Sequence, residues 1–240
     1  AQSALTSNRA TLENESNALR TALDDIESER DRLKKDRNTR ASLVTTLKGE
    51  EQRLRKQVKK AQAERERLNQ AIRNIIEAEL KAERASSAGE FALTPEGKIV
   101  SAAFESNKAS LSWPVLRGVI TGKFGRQAHP TLPGITIDNN GIDITTEKGS
   151  PVLSVFDGTI SSIFPIPGAG ETLILSHGAF RTVYSNLTDI QVAKGQRIEA
   201  GERLGSVRTT ANRSMLHFEV WQIKGMSQTP QNPASWLVKN

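Results

Sequence analysis

The sequence contains no cysteine, so it has no disulfide framework, no thiolate metal site and no cysteine nucleophile. Its first 88 residues contain no proline, no aromatic residue and a single glycine, Gly49. A segment with so little punctuation and no aromatic side chains does not build a compact core, but it can form a long helix. No apolar run approaches the ~18 residues of a membrane-spanning helix. The opening Ala1-Gln2-Ser3 is polar, so the sequence shows no secretory leader of its own. Charge of one sign is also in short supply. The formal net charge is +6, and acidic residues are interspersed among the basic ones throughout. With no aromatic platforms in the charged segment, this pattern reads as a solvated helix surface and disfavours nucleic acid as a partner.

What is present divides the chain in two. Residues 1–88 hold 19 Lys+Arg and 15 Asp+Glu, while residues 89–240 hold 14 and 12 together with every proline and every aromatic residue. In the first part, counting by sevens from Leu5 gives Leu12, Leu19, Ile26, Leu33, Arg40, Leu47, Leu54, Ala61, Leu68, Ile75 and Ala82. Only Arg40 breaks that apolar seam. The companion seam is half charged, and its later members are Val44, Glu51, Val58, Arg65, Ile72 and Glu79. One strong and one compromised seam predict a coiled-coil strand over 1–88 whose partner is not evident. The stripe needs another helix, from an upstream segment, a second copy or another protein, and entry in mid-register at Ala1 raises the expectation of a truncated helical hairpin. The β-branched residues and Gly49 between Thr39 and Gly49 lower helix propensity, and a bend is expected there.

Ala85-Ser86-Ser87-Ala88-Gly89 reads as a linker. Within 89–111, Thr94-Pro95 is an N-cap followed by a first-turn proline, which predicts a short helix over about 95–108. Its apolar face is Ile99, Val100, Ala103 and Phe104. From 112 to 240 short apolar runs alternate with glycine turns, the pattern of an all-β domain. Val152–Phe156 and Gly158–Phe164 read as one hairpin, Thr172–Ser176 and Arg181–Tyr184 as another about His177-Gly178, and Leu216–Ile223 as a further strand.

Several blocks of this second part resemble the lysostaphin/LytM-type zinc endopeptidases: Asn139-Asn140-Gly141-Ile142-Asp143-Ile144, Lys148-Gly149-Ser150-Pro151-Val152, Tyr184-Ser185-Asn186-Leu187, and Met215-Leu216-His217-Phe218-Glu219-Val220. The resemblance implies a LytM-like β domain over 112–240. It places the three zinc-ligand positions at Asn139, Asp143 and His217, and the two positions that assist the activated water at Met215 and Asn186. Only Asp143 and His217 keep the ligand type. A catalytic zinc normally has three protein ligands and an open fourth position, and an amide is a poor substitute for imidazole. Met215 and Asn186 cannot exchange a proton near neutral pH. No metal, no cofactor and no catalytic residue is therefore expected. His177 is read as structural, and His129 as a remote candidate for a replacement ligand.

A degenerate LytM domain behind a coiled coil resembles the EnvC-type murein hydrolase activators. That resemblance implies a non-catalytic role at the division site in the periplasm. The vacant groove would bind a periplasmic N-acetylmuramoyl-L-alanine amidase, and the coiled coil would receive a signal from the FtsX periplasmic region of FtsEX. The groove residues so implied are Asn140, Asp143, Ala169, Thr172, Tyr184, Asn186, His217 and Trp221. The 95–108 helix is expected to lie over the groove and restrain it. A structural or peptidoglycan-binding envelope protein is the alternative reading, and an active zinc endopeptidase a further one.

Overall fold

The computed structural model describes residues 2–86, 93–128, 132–166, 170–210, 213–225 and 227–239. The linker residues 87–92, His129 and Ala169 lie outside the described residues. The chain divides into two compact units, Ala1–Lys59 and Lys60–Asn240.

The first unit is helix alone, part of α1 (Gln2–Ser86). No break interrupts α1 between Thr39 and Gly49. Thr39, Thr45 and Thr46 each donate their hydroxyl to the carbonyl four residues back, at 2.9, 3.0 and 3.1 Å. Such back-bonding satisfies the hydroxyls within the helix. In this unit the apolar seam (Leu5, Leu12, Leu19, Ile26, Leu33, Leu47, Leu54) is exposed.

The second unit contains the rest of α1, α2 (Pro95–Ser106) and, among the described residues, thirteen strands. These are β1 (Val119–Gly122), β2 (Gly125–Ala128), β3 (Thr136–Asn139), β4 (Ile142–Thr145), β5 (Pro151–Leu153), β6 (Gly158–Ile166), β7 (Gly170–His177), β8 (Phe180–Thr188), β9 (Arg197–Ile198), β10 (Arg203–Val207), β11 (Thr209–Thr210), β12 (Arg213–Lys224) and β13 (Ser227–Gln231). The main antiparallel sheet runs β1-β4-β12-β8-β7-β6-β9. The fold is thus a long N-terminal helix followed by an all-β domain. The His177-Gly178 hairpin forms as expected between β7 and β8, with Gly178 at φ +75°. The other expected hairpin does not form, because β5 pairs with β10 rather than with β6.

Strand alternation gives the sheet two buried faces. One carries Ile142, Ile144, Leu173, Leu175, Tyr184, Leu216, Phe218 and Val220 in the main core. The other carries Ile174, Val183, Trp221 and Ile223, which pack with Ile166 against Leu68, Ile72, Ile76 and Leu80 of α1. Leu68–Leu80 are thus packed within the second unit, and the division between the two units falls inside α1.

The helix expected over 95–108 forms as α2, with Thr94 Oγ1 accepting from the Gly97 amide at 3.0 Å. It packs on the core side of the sheet. Phe104 is fully buried and stacks on His177, Phe180 and Trp236, with centroids 4.8–5.0 Å apart. The close approach of α2 depends on Gly178, since a Cβ there would collide with the Gly97 carbonyl. Ile99, expected on the docking face, is 70% exposed.

Candidate functional site

The pairing of β4, β12 and β8 sets the site. His217 on β12 lies opposite Asp143 on β4 and opposite Ser185 on β8. On β12, residues at intervals of two share a face, so His217, Glu219 and Trp221 line up toward α1. They form a continuous chain of polar contacts. Arg65 Nη2 on α1 donates to Asp143 Oδ2 at 2.8 Å. His217 Nδ1 donates to Asp143 Oδ1 at 2.7 Å, and its Nε2 to Glu219 Oε1 at 2.9 Å. Trp221 Nε1 donates to Glu219 Oε2 at 2.6 Å.

With a carboxylate on each ring nitrogen, His217 is held as an imidazolium. Burial opposes the charge, but hydrogen bonds and attraction from Asp143 and Glu219 outweigh it and raise the ring to about 9. Burial likewise opposes ionisation of Asp143. His217 and Arg65 overcome that and lower the carboxyl to about 2. Gly122 leaves room for this carboxylate, because a Cβ there would overlap Asp143 Oδ2.

A three-ligand metal site does not fit this arrangement. Asp143 Oδ1 and His217 Nδ1 are in direct contact, and Asp143 Oδ2 is bound to a guanidinium. At the position of the first ligand, Asn139 Oδ1 accepts from the Gly141 amide at 3.2 Å, which leaves its amide nitrogen buried without a partner. With its oxygen engaged by the backbone, the Asn139 side chain has no free acceptor atom to offer a cation. Among the described residues no group of three or more His, Cys, Asp or Glu side chains is placed to hold a metal ion. At the assisting positions, Asn186 adopts φ +69° and donates Nδ2 to the Met215 carbonyl at 2.6 Å, tying β8 to β12. Met215 is half-buried.

Of the expected groove residues, five are buried and Tyr184 is placed elsewhere. Asn140, Asp143, Thr172, His217 and Trp221 are all buried. Thr172 Oγ1 donates to Ser185 Oγ at 3.1 Å on the α1 side. Tyr184 does not line the groove. Strand alternation turns it into the main core against Phe218, where its hydroxyl accepts from the Val155 amide at 3.1 Å. His177 is structural as read. It is fully buried, donates Nδ1–H to the Asp157 carbonyl at 2.6 Å and accepts from Thr182 at Nε2 at 2.8 Å. Burial, first of all, lowers it to about 4.

The expected restraining helix is not the element at the groove. Ile99, Val100, Ala103 and Phe104 belong to α2 on the opposite side of the sheet, and the helix over Asp143 and Trp221 is the last part of α1. The reason is chemical match. Phe104 completes an aromatic cluster, whereas Arg65, Leu68, Ile72, Ile76 and Glu79 face a carboxylate, an apolar strip and an arginine in turn. Glu79 accepts from Ser162 Oγ at 2.6 Å and lies 3.7 Å from Arg181 Nε. Sequence reasoning missed Arg65, Glu79, Arg181, Ser185 and Glu219. The available signals were the charged members of the second heptad seam, Arg65 and Glu79, and the placement of Glu219 two residues beyond His217 in a strand.

Residues 138–233 match the family model described as Peptidase family M23. The chain is 34% identical over 119 residues to the cell division protein DipM of Caulobacter vibrioides, which covers 48% of this chain and 18% of that protein. It is 33% identical over 107 residues to the peptidoglycan DD-endopeptidase ShyB of Vibrio cholerae, covering 43% of this chain and 25% of that one. Over 114 residues it is 31% identical to the lipoprotein NlpD/LppB homolog of Pseudomonas aeruginosa, covering 45% and 38%. The chain therefore spans between 18% and 38% of the length of these relatives. No helix among the described residues is long and apolar enough to cross a membrane. The matched residues 138–233 are the part of the sheet that carries Asp143, His217, Glu219 and Trp221, so the likeness to Peptidase family M23 falls on the site itself.

Proposed function

We propose that this protein is a non-catalytic, self-restrained activator of a peptidoglycan amidase in the periplasm at the division site. One observation carries the reading: a ligand position of the metallopeptidase fold, Asp143, is engaged by a helix of the same chain, through the Arg65–Asp143 ion pair. A fold that cleaves peptides needs this cleft open to substrate. Here Leu68, Ile72, Ile76 and Leu80 are buried on the strip that contains Trp221. A groove that retains a buried tryptophan and apolar neighbours is suited to holding a protein partner, because Trp anchors dominate interface energetics. In this reading the last part of α1 restrains the groove. The exposed heptad seam of the first unit gives FtsEX, through its FtsX periplasmic region, a surface on which to act. The relatives that are a cell division protein and a lipoprotein support the setting. The DD-endopeptidase among them supports peptidoglycan as the common substrate context.

The test is release of dye-labelled peptidoglycan by a zinc amidase, with the full native chain and with a full chain opened by Ile72→Asp. The expected result is little stimulation by the native chain and strong stimulation by the opened one, with neither chain releasing dye alone. Release by this protein alone with zinc would overturn the non-catalytic reading in favour of an endopeptidase. Binding to peptidoglycan without any stimulation by the opened chain would favour the structural reading instead.

A further inference from the structure

The charge count at the site is unusual for a protein-binding groove. Two carboxylates, Asp143 and Glu219, flank one imidazole, and all three side chains are almost fully buried. Glu219 has both oxygens committed, to His217 and Trp221, and Asp143 Oδ1 is committed to His217. The remaining atom, Asp143 Oδ2, points toward α1 and there meets Arg65, whose side chain is 25% exposed. Without that guanidinium, one negative charge stays uncompensated beside an apolar strip. Removing one partner of a buried pair is strongly destabilising for that reason. Gly122 adds a second observation, since its missing Cβ is what leaves Oδ2 its space.

We propose that the position given to the metal in the peptidase fold has become a receptor for a single side-chain cation, filled by Arg65 while α1 is seated and by an arginine or lysine of the partner when α1 lifts. This inference rests on the groove reading above. An occupant with a purely apolar face would cover the strip around Trp221 but bury the Asp143 carboxylate unpaired. The native spacing Arg65, Leu68, Ile72, Ile76 shows the required chemistry: one cation, then apolar side chains on the same helical face. Arg65 makes one contact and not a two-point fork, so a lysine satisfies the receptor as well. Acidic segments are rejected by the same carboxylate, which gives the groove discrimination by charge as well as by shape.

The experiment uses full chains opened by Arg65→Glu or, as a second form, by Ile72→Asp, each checked for folding by circular dichroism. A labelled peptide of residues 60–82 is titrated against them in four versions: native, Arg65→Lys, Arg65→Ala and Arg65→Glu. The native and Lys peptides should bind, the Ala peptide at least tenfold more weakly, and the Glu peptide not detectably. Adding Asp143→Asn to the opened chain should erase the difference between native and Ala peptides. Equal binding of native and Ala peptides to both opened chains overturns the cation receptor and leaves the groove reading standing. A native-to-Ala ratio unchanged by Asp143→Asn does the same. Failure of the native peptide to bind either opened chain overturns both.

Discussion

Replacing Ile72 with alanine should loosen α1 from the sheet without unfolding the β unit. Ile72 is fully buried between α1 and the strip of Ile174, Val183 and Trp221. Truncating a buried isoleucine to alanine costs about 2–5 kcal/mol, from lost apolar transfer plus the residual cavity. Because lifting α1 exposes Ile72 in any case, that cost falls on the closed state and not on the open one. At about 1.4 kcal/mol per factor of ten, the open fraction should rise at least roughly 25-fold. The sequence contains no cysteine, so a single introduced thiol reports on opening without background. Val183→Cys places it on the buried strip under α1, and Leu175→Cys places a control on the opposite, core face. Ile72→Ala should accelerate thiol modification at position 183 by that factor and leave position 175 unchanged. Equal acceleration at both sites would mean global unfolding. No acceleration at 183 would mean that α1 does not cover the strip, and the restraint argument would fail.

Other substitutions separate the two helices. Phe104→Ser should lower the stability of the β unit by about 3–5 kcal/mol, read by urea unfolding, because the ring is fully buried among His177, Phe180 and Trp236; it should not selectively open position 183. Glu79→Gln should raise modification at position 183 roughly tenfold, because it weakens contacts to Ser162 and to the buried Arg181 at about 1–3 kcal/mol. Stability should also fall on both sides of neutral pH. The raised His217 contributes stability that is complete below 6.5 and is lost as pH climbs through about 9. His177, lowered to about 4, must be charged in acid, so its contribution is lost as pH falls from 6.5 through 4. Urea midpoints across pH 4–10 test this, and His217→Gln should flatten the alkaline limb while leaving the acid limb in place.

The sequence by itself determined the two-part architecture. Heptads without proline or aromatics allow only a long helix, and glycine-punctuated β runs only a sheet-rich domain. It also determined the Thr94 cap, which is set by neighbours close in the chain, whereas the structural His177 and the placing of the site at Asp143 and His217 came through the resemblance to LytM-type peptidases. What it left open was the partner of the half-charged seam. Arg65 and Glu79 read as flaws in a coiled coil, yet together with Ile72 they match Asp143, Arg181 and the Trp221 strip of the sheet. The short helix at Thr94-Pro95 offered an apolar face but no indication of which side of the sheet would receive it. Tyr184 entered the groove by resemblance and left it by strand alternation. In each case the deciding contact joins residues far apart in the sequence, up to 102 positions between Glu79 and Arg181. Such pairings are chosen by complementarity of charge and shape, which becomes visible only when the two surfaces are brought together.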